Sequence, residues 1–280
     1  MERQEVHIIK SSGEKAVFSV EKLESSLRSS GADEALVNNI VNSVLEELYP
    51  GITTKEIYNR AFAMLKKAKS IYASKYKLKK AIYELGPTGF PFERFIGSLL
   101  YYSGYKIKVG EVIKGNCVSH EIDVLATKNG TVNIIECKFH GEGGLKCNVK
   151  VPLYIHSRYN DVKNSRQFKE DNGKQKTMGW VVTNTKFTSD ALEYGKCVGL
   201  YLLSWDYPKG DSLKDRIERL GLYPITVSTL LSSREKQFLL NRDIVLYRQL
   251  LKDRFYLDHL GISNGRKERI MKEMESLCII

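Results

Sequence analysis

The 280-residue chain contains 42% apolar residues, which is enough for two or three domains with their own cores. Its five cysteines include no Cys-x-x-Cys pair and no apolar run could span a bilayer, so we expect a cytoplasmic protein without zinc, disulfides or a membrane partner. The 44 lysines and arginines outnumber the 33 acidic residues, giving a net charge of +11 that favours a polyanionic partner.

The first segment, residues 1–86, combines a short hairpin with helices. Residues 6–10 and 16–18 are apolar runs on either side of a turn ending at Gly13, which predicts two short strands. Apolar residues then recur at steps of three and four, which predicts helices over residues 20–27, 35–48, 54–66 and 70–85.

Six short runs of this segment match one known domain type. They are Ile9-Lys10, Gly13, Phe18, Glu21-Lys22-Leu23, Gly51-Ile52-Thr53-Thr54-Lys55-Glu56-Ile57 and Tyr76-Lys77-Leu78-Lys79-Lys80-Ala81-Ile82. Together they closely resemble the ATP-cone, the nucleotide-binding regulatory domain at the front of ribonucleotide reductases. The resemblance implies an adenine nucleotide, ATP or dATP, as an effector.

The same resemblance implies which residues contact the nucleotide. Lys10 and Lys22 would place positive charge near the triphosphate, and Thr54 and Lys79 would add further contacts. Serines occupy positions 11 and 12, where the family usually has a basic and then an acidic residue. A packing or DNA-docking role for this segment therefore stays open.

Residues 120–139 contain the strongest hairpin signal in the chain. Two alternating apolar runs flank Asn129-Gly130, the dipeptide favoured in two-residue turns. Such a turn places Asp123 directly opposite Glu136 on one face of the hairpin. Two facing carboxylates repel each other, whereas a divalent cation between them would be held by both.

A basic side chain completes this pattern. The same register places Lys138 opposite Glu121, beside the paired carboxylates, where its charge could act on a phosphate or on an attacking water. A polar solvent-facing side of the hairpin would explain the same residues without a ligand. A turn that is one residue longer would put the two carboxylates on opposite faces.

The order Glu93, Asp123, Glu136-Cys137-Lys138 resembles the PD-(D/E)XK nuclease superfamily. The lead-in Gly89-Phe90-Pro91-Phe92-Glu93-Arg94-Phe95 resembles Mrr-type restriction endonucleases, and the likeness extends over about residues 86–206. It implies that Asp123 and Glu136 bind Mg²⁺ or Mn²⁺, with the Cys137 carbonyl as a further ligand. It also implies that Lys138 orients or activates the water and that Glu93 assists the metal. Ile122 stands where the simplest motif has proline.

The rest of the middle segment predicts alternating helices and strands. Apolar side chains at helical spacing precede Gly104, and a second helix is predicted over residues 152–162. Two strands are predicted over residues 180–183 and 200–203, with a helix over residues 188–196 between them. A strand-helix-strand unit of this kind implies parallel pairing through a right-handed crossover.

Residues 209–280 are predicted to be helical and charged. Ser232 and Glu235 form a capping-box pattern, and Ser263 precedes the final helix. Residues 257–263 weakly resemble the turn of a helix-hairpin-helix, whose backbone amides bind DNA phosphates. A small bundle that packs on the middle domain explains the same pattern.

The sequence therefore predicts a multidomain protein of the α+β or α/β class. We expect an ATP-cone with a small hairpin and a helical bundle over residues 1–86, a restriction-endonuclease-like mixed sheet flanked by helices over 87–208, and a helical segment over 209–280. The implied activity is metal-dependent cleavage of DNA, with a homodimer as one way to cut both strands. The alternatives are a non-catalytic, nucleotide-responsive DNA-binding regulator and a nuclease that acts on RNA or branched DNA.

Overall fold

The computed structural model describes residues 5–165, 168 and 176–278 of the chain. The first elements are β1 (His7–Ile9), β2 (Lys15–Val17), α1 (Val20–Ser29), α2 (Glu34–Glu46), α3 (Thr54–Ala68), α4 (Ser70–Tyr76) and α5 (Leu78–Tyr83). Ser19, Asp33 and Thr53 precede α1, α2 and α3, and each side chain accepts a hydrogen bond from a first-turn amide. The hairpin and the first three predicted helices are confirmed.

The prediction of one continuous helix over residues 70–85 is wrong, because the chain breaks at Lys77 between α4 and α5. The Lys77 ammonium is buried and donates to the Glu84 carboxylate at 2.7 Å and to the Thr226 carbonyl at 2.9 Å. A buried cation requires such partners. The break lets α5 contact the C-terminal segment, where the Thr226 hydroxyl donates to the Ala81 carbonyl at 2.6 Å.

The centre of the chain forms a five-stranded mixed sheet flanked by helices. Its elements are α6 (Phe90–Tyr102), β3 (Lys106–Lys114), β4 (Ser119–Lys128), β5 (Thr131–Lys138), β6 (Lys146–Cys147), α7 (Lys150–Lys163), β7 (Lys176–Thr183), β8 (Lys186–Phe187), α8 (Ser189–Cys197) and β9 (Tyr201–Leu203). The strand order is β3-β4-β5-β7-β9, antiparallel from β3 to β5 and parallel from β5 to β9. The predicted parallel pairing of β7 with β9 is confirmed, whereas the sequence analysis missed β3.

The two faces of this sheet belong to different hydrophobic cores. On one face, Val124 and Ile135 pack in a cluster with Phe95 of α6. On the other, Ile134 and Val181 pack in a cluster with residues of α7 and α8. The sheet is therefore a middle layer, and charged groups near its edge are partly screened from water.

The last part of the chain is helical, as predicted. It contains α9 (Leu213–Leu220), a 3-10 turn (Ile225–Val227), α10 (Ser233–Leu240), α11 (Tyr247–Lys252), α12 (Phe255–Asp258) and α13 (Asn264–Cys278). Ser232 and Glu235 form the predicted capping box, and α13 begins directly after Ser263. Of the helices in the described ranges, none is long and apolar enough to cross a membrane.

The C-terminal segment shares one hydrophobic core with α6 and the sheet. The same core includes Leu78, Ile82 and Leu85, so the predicted boundary at residue 86 falls inside it. Glu273 of α13 is also buried there, and its carboxylate accepts a hydrogen bond from the Ser74 hydroxyl at 2.8 Å. The three predicted segments are consequently held together by contacts that include α4 and α5.

Candidate active site at the edge of the sheet

The hairpin of β4 and β5 has the register predicted from its turn. Asn129 and Gly130 both have positive φ, 51° and 73°, as a type I′ turn requires. Paired residues run from Lys128 opposite Thr131 to Val124 opposite Ile135. The next pair in this register is Asp123 and Glu136, which therefore lie at the point where the ladder ends.

The ladder of paired strand residues is interrupted at Asp123 both towards β3 and towards β5. Towards β3, its position in the register is opposite Gly110, whose φ of 70° breaks the ladder. Towards β5, the Asp123 carboxylate accepts a hydrogen bond from the Cys137 amide at 2.6 Å. The side chain thus replaces a backbone partner and is fixed against the strand that carries Glu136 and Lys138.

The amide contact also locates the Cys137 carbonyl, which was predicted as a metal ligand. The N–H and C=O groups of one strand residue point to the same side, so the carbonyl of Cys137 faces β4 as its amide does. The Lys138 carbonyl points instead towards β7, where it accepts a hydrogen bond from the Thr183 hydroxyl at 2.7 Å. The Cys137 thiol is buried.

Glu136 is partly buried and already paired with a cation. Its carboxylate accepts a hydrogen bond from the Arg158 guanidinium of α7 at 2.7 Å. Burial and repulsion from Asp123 raise the pKa of Glu136 to about 7, even though Arg158 acts in the opposite direction. The strand therefore presents a carboxylate that is costly to ionise without a positive partner.

Glu93 reaches the same place from the first turn of α6. Pro91 lies in the first turn of this helix, where proline is tolerated, and an acidic residue is favourable near a helix N-terminus. Burial raises the pKa of Glu93 to about 7, with repulsion from Asp123 and Glu121 adding to the effect. Burial likewise raises the pKa of Asp123. The structure thus brings together three predicted carboxylates from α6, β4 and β5.

Lys138 completes the predicted group on the exposed end of β5. Its charge opposes the rise in the pKa of Asp123. In the described part of the chain, Lys138 forms no ion pair with an acidic side chain. It is therefore available to act on a ligand at this edge.

The chemistry of these donors suits a hard divalent cation. Carboxylate and carbonyl oxygens are the ligands that Mg²⁺ and Mn²⁺ prefer, and a cation would relieve the repulsion among the acidic groups. Within residues 5–165, 168 and 176–278, no three acidic, histidine or cysteine side chains are already arranged around one point. Arg158 supplies the positive charge at Glu136 instead.

A cavity of about 620 Å³ is lined by the N-terminal helices, the loop after β5 and α9. Thr54 and Lys79 line it, as does Ser11 of the first hairpin turn. Lys10 and Lys22 are not among its lining residues; Lys10 pairs with Glu14 at 3.0 Å. Only two of the four residues predicted to contact a nucleotide therefore meet in the cavity.

The other walls of the cavity combine residues of the ATP-cone-like runs with residues that the sequence analysis did not group with them. Half of them are lysines and aromatic residues, namely Lys55, Lys75, Lys80, Lys214, Tyr58, Tyr76, Tyr83 and Trp205. The Lys79 ammonium lies 6.0 Å from the centre of the Trp205 ring. Partial desolvation lowers the pKa of Lys79, and the charge of Lys186 acts in the same direction. No local motif could have joined these residues, since they come from distant parts of the chain.

Comparisons with known proteins relate the chain to one group. A family model described as AF1548-like, C-terminal, matches residues 223–278. An uncharacterized protein of Archaeoglobus fulgidus is 39% identical over 129 residues, which span 46% of this chain and 68% of that relative. The crystal structure of a protein of unknown function, AF1548, is similar with a TM-score of 0.55 and 29% identity, over 68% of this chain and 98% of that one.

Proposed function

This chain belongs to the AF1548-like protein family, and we propose that it is a metal-dependent endonuclease that hydrolyses DNA. The observation that carries the proposal is the position of Asp123 and Glu136 as the next pair in the β4–β5 register, with Asp123 bonded to the Cys137 amide and Lys138 following on β5. Repulsion from Asp123 raises the pKa of Glu93 as well, so this carboxylate belongs to the same group. Each carboxylate comes from a different element, and burial and mutual repulsion make each harder to ionise. Such an arrangement destabilises the folded protein unless a cation is bound.

The protein's own groups divide the work of hydrolysis. Asp123, Glu136 and the Cys137 carbonyl would hold the cation, and a bound Mg²⁺ or Mn²⁺ supplies a Lewis acid that activates water and neutralises phosphate charge. Lys138 would orient the water for attack on phosphorus in line with the leaving 3′ oxygen. Glu93, with a pKa near neutrality, can hold or release a proton beside Asp123.

Cleavage of supercoiled plasmid by the purified full chain tests this proposal. We expect nicking or linearisation that requires Mg²⁺ or Mn²⁺ and that falls by at least about 100-fold in Lys138→Ala. The matched control is Lys106→Ala, which removes an exposed lysine from the far end of the sheet. A metal-independent activity, or equal activity of the two variants, would contradict the assignment.

The same experiment distinguishes two alternative functions of this site. Cleavage of RNA or of branched DNA, but not of plasmid, would keep the chemistry and change the substrate. Salt-sensitive DNA binding without any cleavage would indicate a non-catalytic regulator. A homodimer would be the natural form for cutting both strands, because one chain contributes one such site.

The lysine-lined cavity supports a second role, the binding of ATP or dATP as an effector. Five lysines face it and one carboxylate, Glu218, so a polyanion is the ligand that its charge favours. Tyr58 and Tyr76, stacked 5.1 Å apart at its wall, offer surfaces for a base. Calorimetric titration of the full chain with dATP tests this role, with Lys79→Ala as the variant that should bind less.

A further inference from the structure

Arg158 of α7 contacts the carboxylate site. Its guanidinium donates to the Glu136 carboxylate at 2.7 Å and also to the Glu121 carbonyl. Its centre lies 5.5 Å from the centre of the Tyr154 ring, one helical turn earlier on α7. The side chains of Arg158 and Glu136 are only 16% and 22% exposed. These contacts fix the guanidinium in front of the carboxylate.

This placement makes Arg158 a competitor of any metal at Glu136. A guanidinium remains charged at every accessible pH, so the pair does not dissolve by deprotonation. Removing one member of a partly buried ion pair leaves the charge of the other uncompensated. If Arg158 leaves the Glu136 carboxylate, a metal ion can take its place as the compensating cation. Arg158 donates to Oε2 of Glu136, so a metal ion that uses this oxygen in the free protein has to displace Arg158.

A displaced Arg158 has room to move. An open groove of about 840 Å³ is lined by Arg158, Tyr154 and Asp161 of α7 and by residues of the β3–β4 turn. The Asp161 carboxylate already accepts a hydrogen bond from the Cys117 amide at 2.8 Å. Neutral polar groups such as Asn116 and Ser119 supply part of its wall. The forked guanidinium matches the geometry of a phosphate, which would give Arg158 a replacement for the carboxylate it leaves.

We propose that Arg158 is a positioning residue that holds Glu136 in the free protein and transfers to a phosphate of the nucleic acid. Metal and nucleic acid then bind cooperatively, because each makes the release of Arg158 less costly for the other. This inference rests on the proposed nuclease function.

Titration of the full chain with Mn²⁺, followed by calorimetry, tests the first half of the proposal. Arg158→Gln should bind Mn²⁺ at least about fivefold more tightly than wild-type protein when no nucleic acid is present. Arg216→Gln is the matched control, since Arg216 of α9 forms another partly buried ion pair, with Asp211. Equal affinity of wild-type protein and Arg158→Gln would overturn the proposal.

A second titration separates this role from the mere loss of a nearby positive charge. Both chains are compared in a Lys138→Ala background, to prevent cleavage, with and without a duplex DNA oligonucleotide. The oligonucleotide should tighten Mn²⁺ binding by at least about fivefold with Arg158 present and by less than about twofold with Arg158→Gln. An equal effect in both would overturn the transfer, because charge loss alone leaves that coupling intact.

Failure of this inference and failure of the proposed function give different results. Mn²⁺ binding that is lost in Asp123→Asn but unchanged in Arg158→Gln overturns the role of Arg158 and leaves the nuclease proposal standing. Absence of Asp123-dependent binding overturns both. If Arg158→Gln does not fold, Arg158→Met serves instead, since it keeps an apolar chain without the charge, and unchanged Mn²⁺ affinity would again overturn the proposal.

Discussion

The sheet edge and the neighbouring cavity have opposite charge and are built in opposite ways. At the edge, Asp123 and Glu136 come from one hairpin and are crowded with a third carboxylate. In the cavity, lysines from distant segments converge, and the pKa of Lys79 is lowered where the pKa values of the carboxylates are raised. In each region the counter-charge is incomplete, since Arg158 pairs with one of the three carboxylates and Glu218 is one carboxylate among five lysines. The first region therefore favours a cation and the second an anion.

A short connection joins the two regions. The segment after Lys138 contributes Gly141, Gly143 and Gly144 to the cavity wall. An added Cβ at Gly144 would lie 3.2 Å from the Cβ of Ser12 in the first hairpin turn. A ligand in the cavity therefore binds against the loop that leaves the acidic site, which offers a direct route for an effector.

The largest effect should come from removing the acidic character of the sheet edge. Asp123→Asn keeps the size of the side chain but weakens both the cation site and the contact to the Cys137 amide, so cleavage should fall by at least about 100-fold. Plasmid nicking over time measures this. Asp190→Asn, an exposed change on α8, should retain activity within about twofold; unchanged cleavage in Asp123→Asn would refute the site.

A smaller effect is expected at the cavity, where the structure and the family resemblance disagree. Lys79→Ala should weaken binding of dATP by about tenfold, the loss expected for one charge-assisted contact. Lys22→Ala should bind dATP as wild-type protein does, because Lys22 is not among the residues that line the cavity. Calorimetry measures both. If only Lys22→Ala loses affinity for dATP, the nucleotide site includes Lys22, as the resemblance implies, and is not the cavity.

The pH dependence of metal binding should show whether the metal binds at the acidic sheet edge. The pKa values of Glu93 and Glu136 are raised from 4.5 to about 7, so the folded protein binds these protons more tightly than the unfolded chain. The contribution of this site to the free energy of unfolding is therefore greatest at low pH and is lost as pH rises through about 7. Bound metal restores it by replacing the protons.

Thermal unfolding with and without Mn²⁺ measures that effect. The rise in Tm on adding Mn²⁺ should be several degrees larger at about pH 8 than at about pH 5.5. In Glu136→Gln the difference between the two pH values should shrink. An equal rise at both pH values in wild-type protein would show that the metal binds elsewhere.

The smallest predicted effect concerns the loop between the two regions. Gly144 has a φ of 92°, and Gly144→Ala would combine backbone strain with a close approach to Ser12. We expect a loss of about 1 kcal/mol in the free energy of unfolding, measured in urea, and a weaker effect of dATP on cleavage. Gly141→Ala, where an added Cβ meets open space, is the control. Equal stability of the two variants would contradict the contact.

The hairpin could be predicted because its information is local. Asn129-Gly130 specified the turn, and the turn specified the register that places Asp123 next to Glu136. The capping box of Ser232 and Glu235 was similarly readable from neighbouring residues. In such places, sequence spacing and spatial position are directly related.

The features that sequence reasoning missed depend on contacts between distant residues. The break at Lys77 is explained by a buried ammonium whose partner, Thr226, lies far along the chain. The end of the ladder at Asp123 depends on Gly110 of the unpredicted strand β3, and the pairing of Arg158 with Glu136 depends on how α7 packs. None of these contacts has a signature in a short run of residues.

The most direct test of the central claim is anomalous diffraction from crystals of the protein grown with Mn²⁺ and a duplex oligonucleotide. The account predicts one Mn²⁺ between the carboxylates of Asp123 and Glu136, with Arg158 moved from Glu136 to a phosphate. The result that would contradict it is an intact Arg158–Glu136 pair, with no Mn²⁺ at the sheet edge, when the oligonucleotide is bound and the metal is in excess.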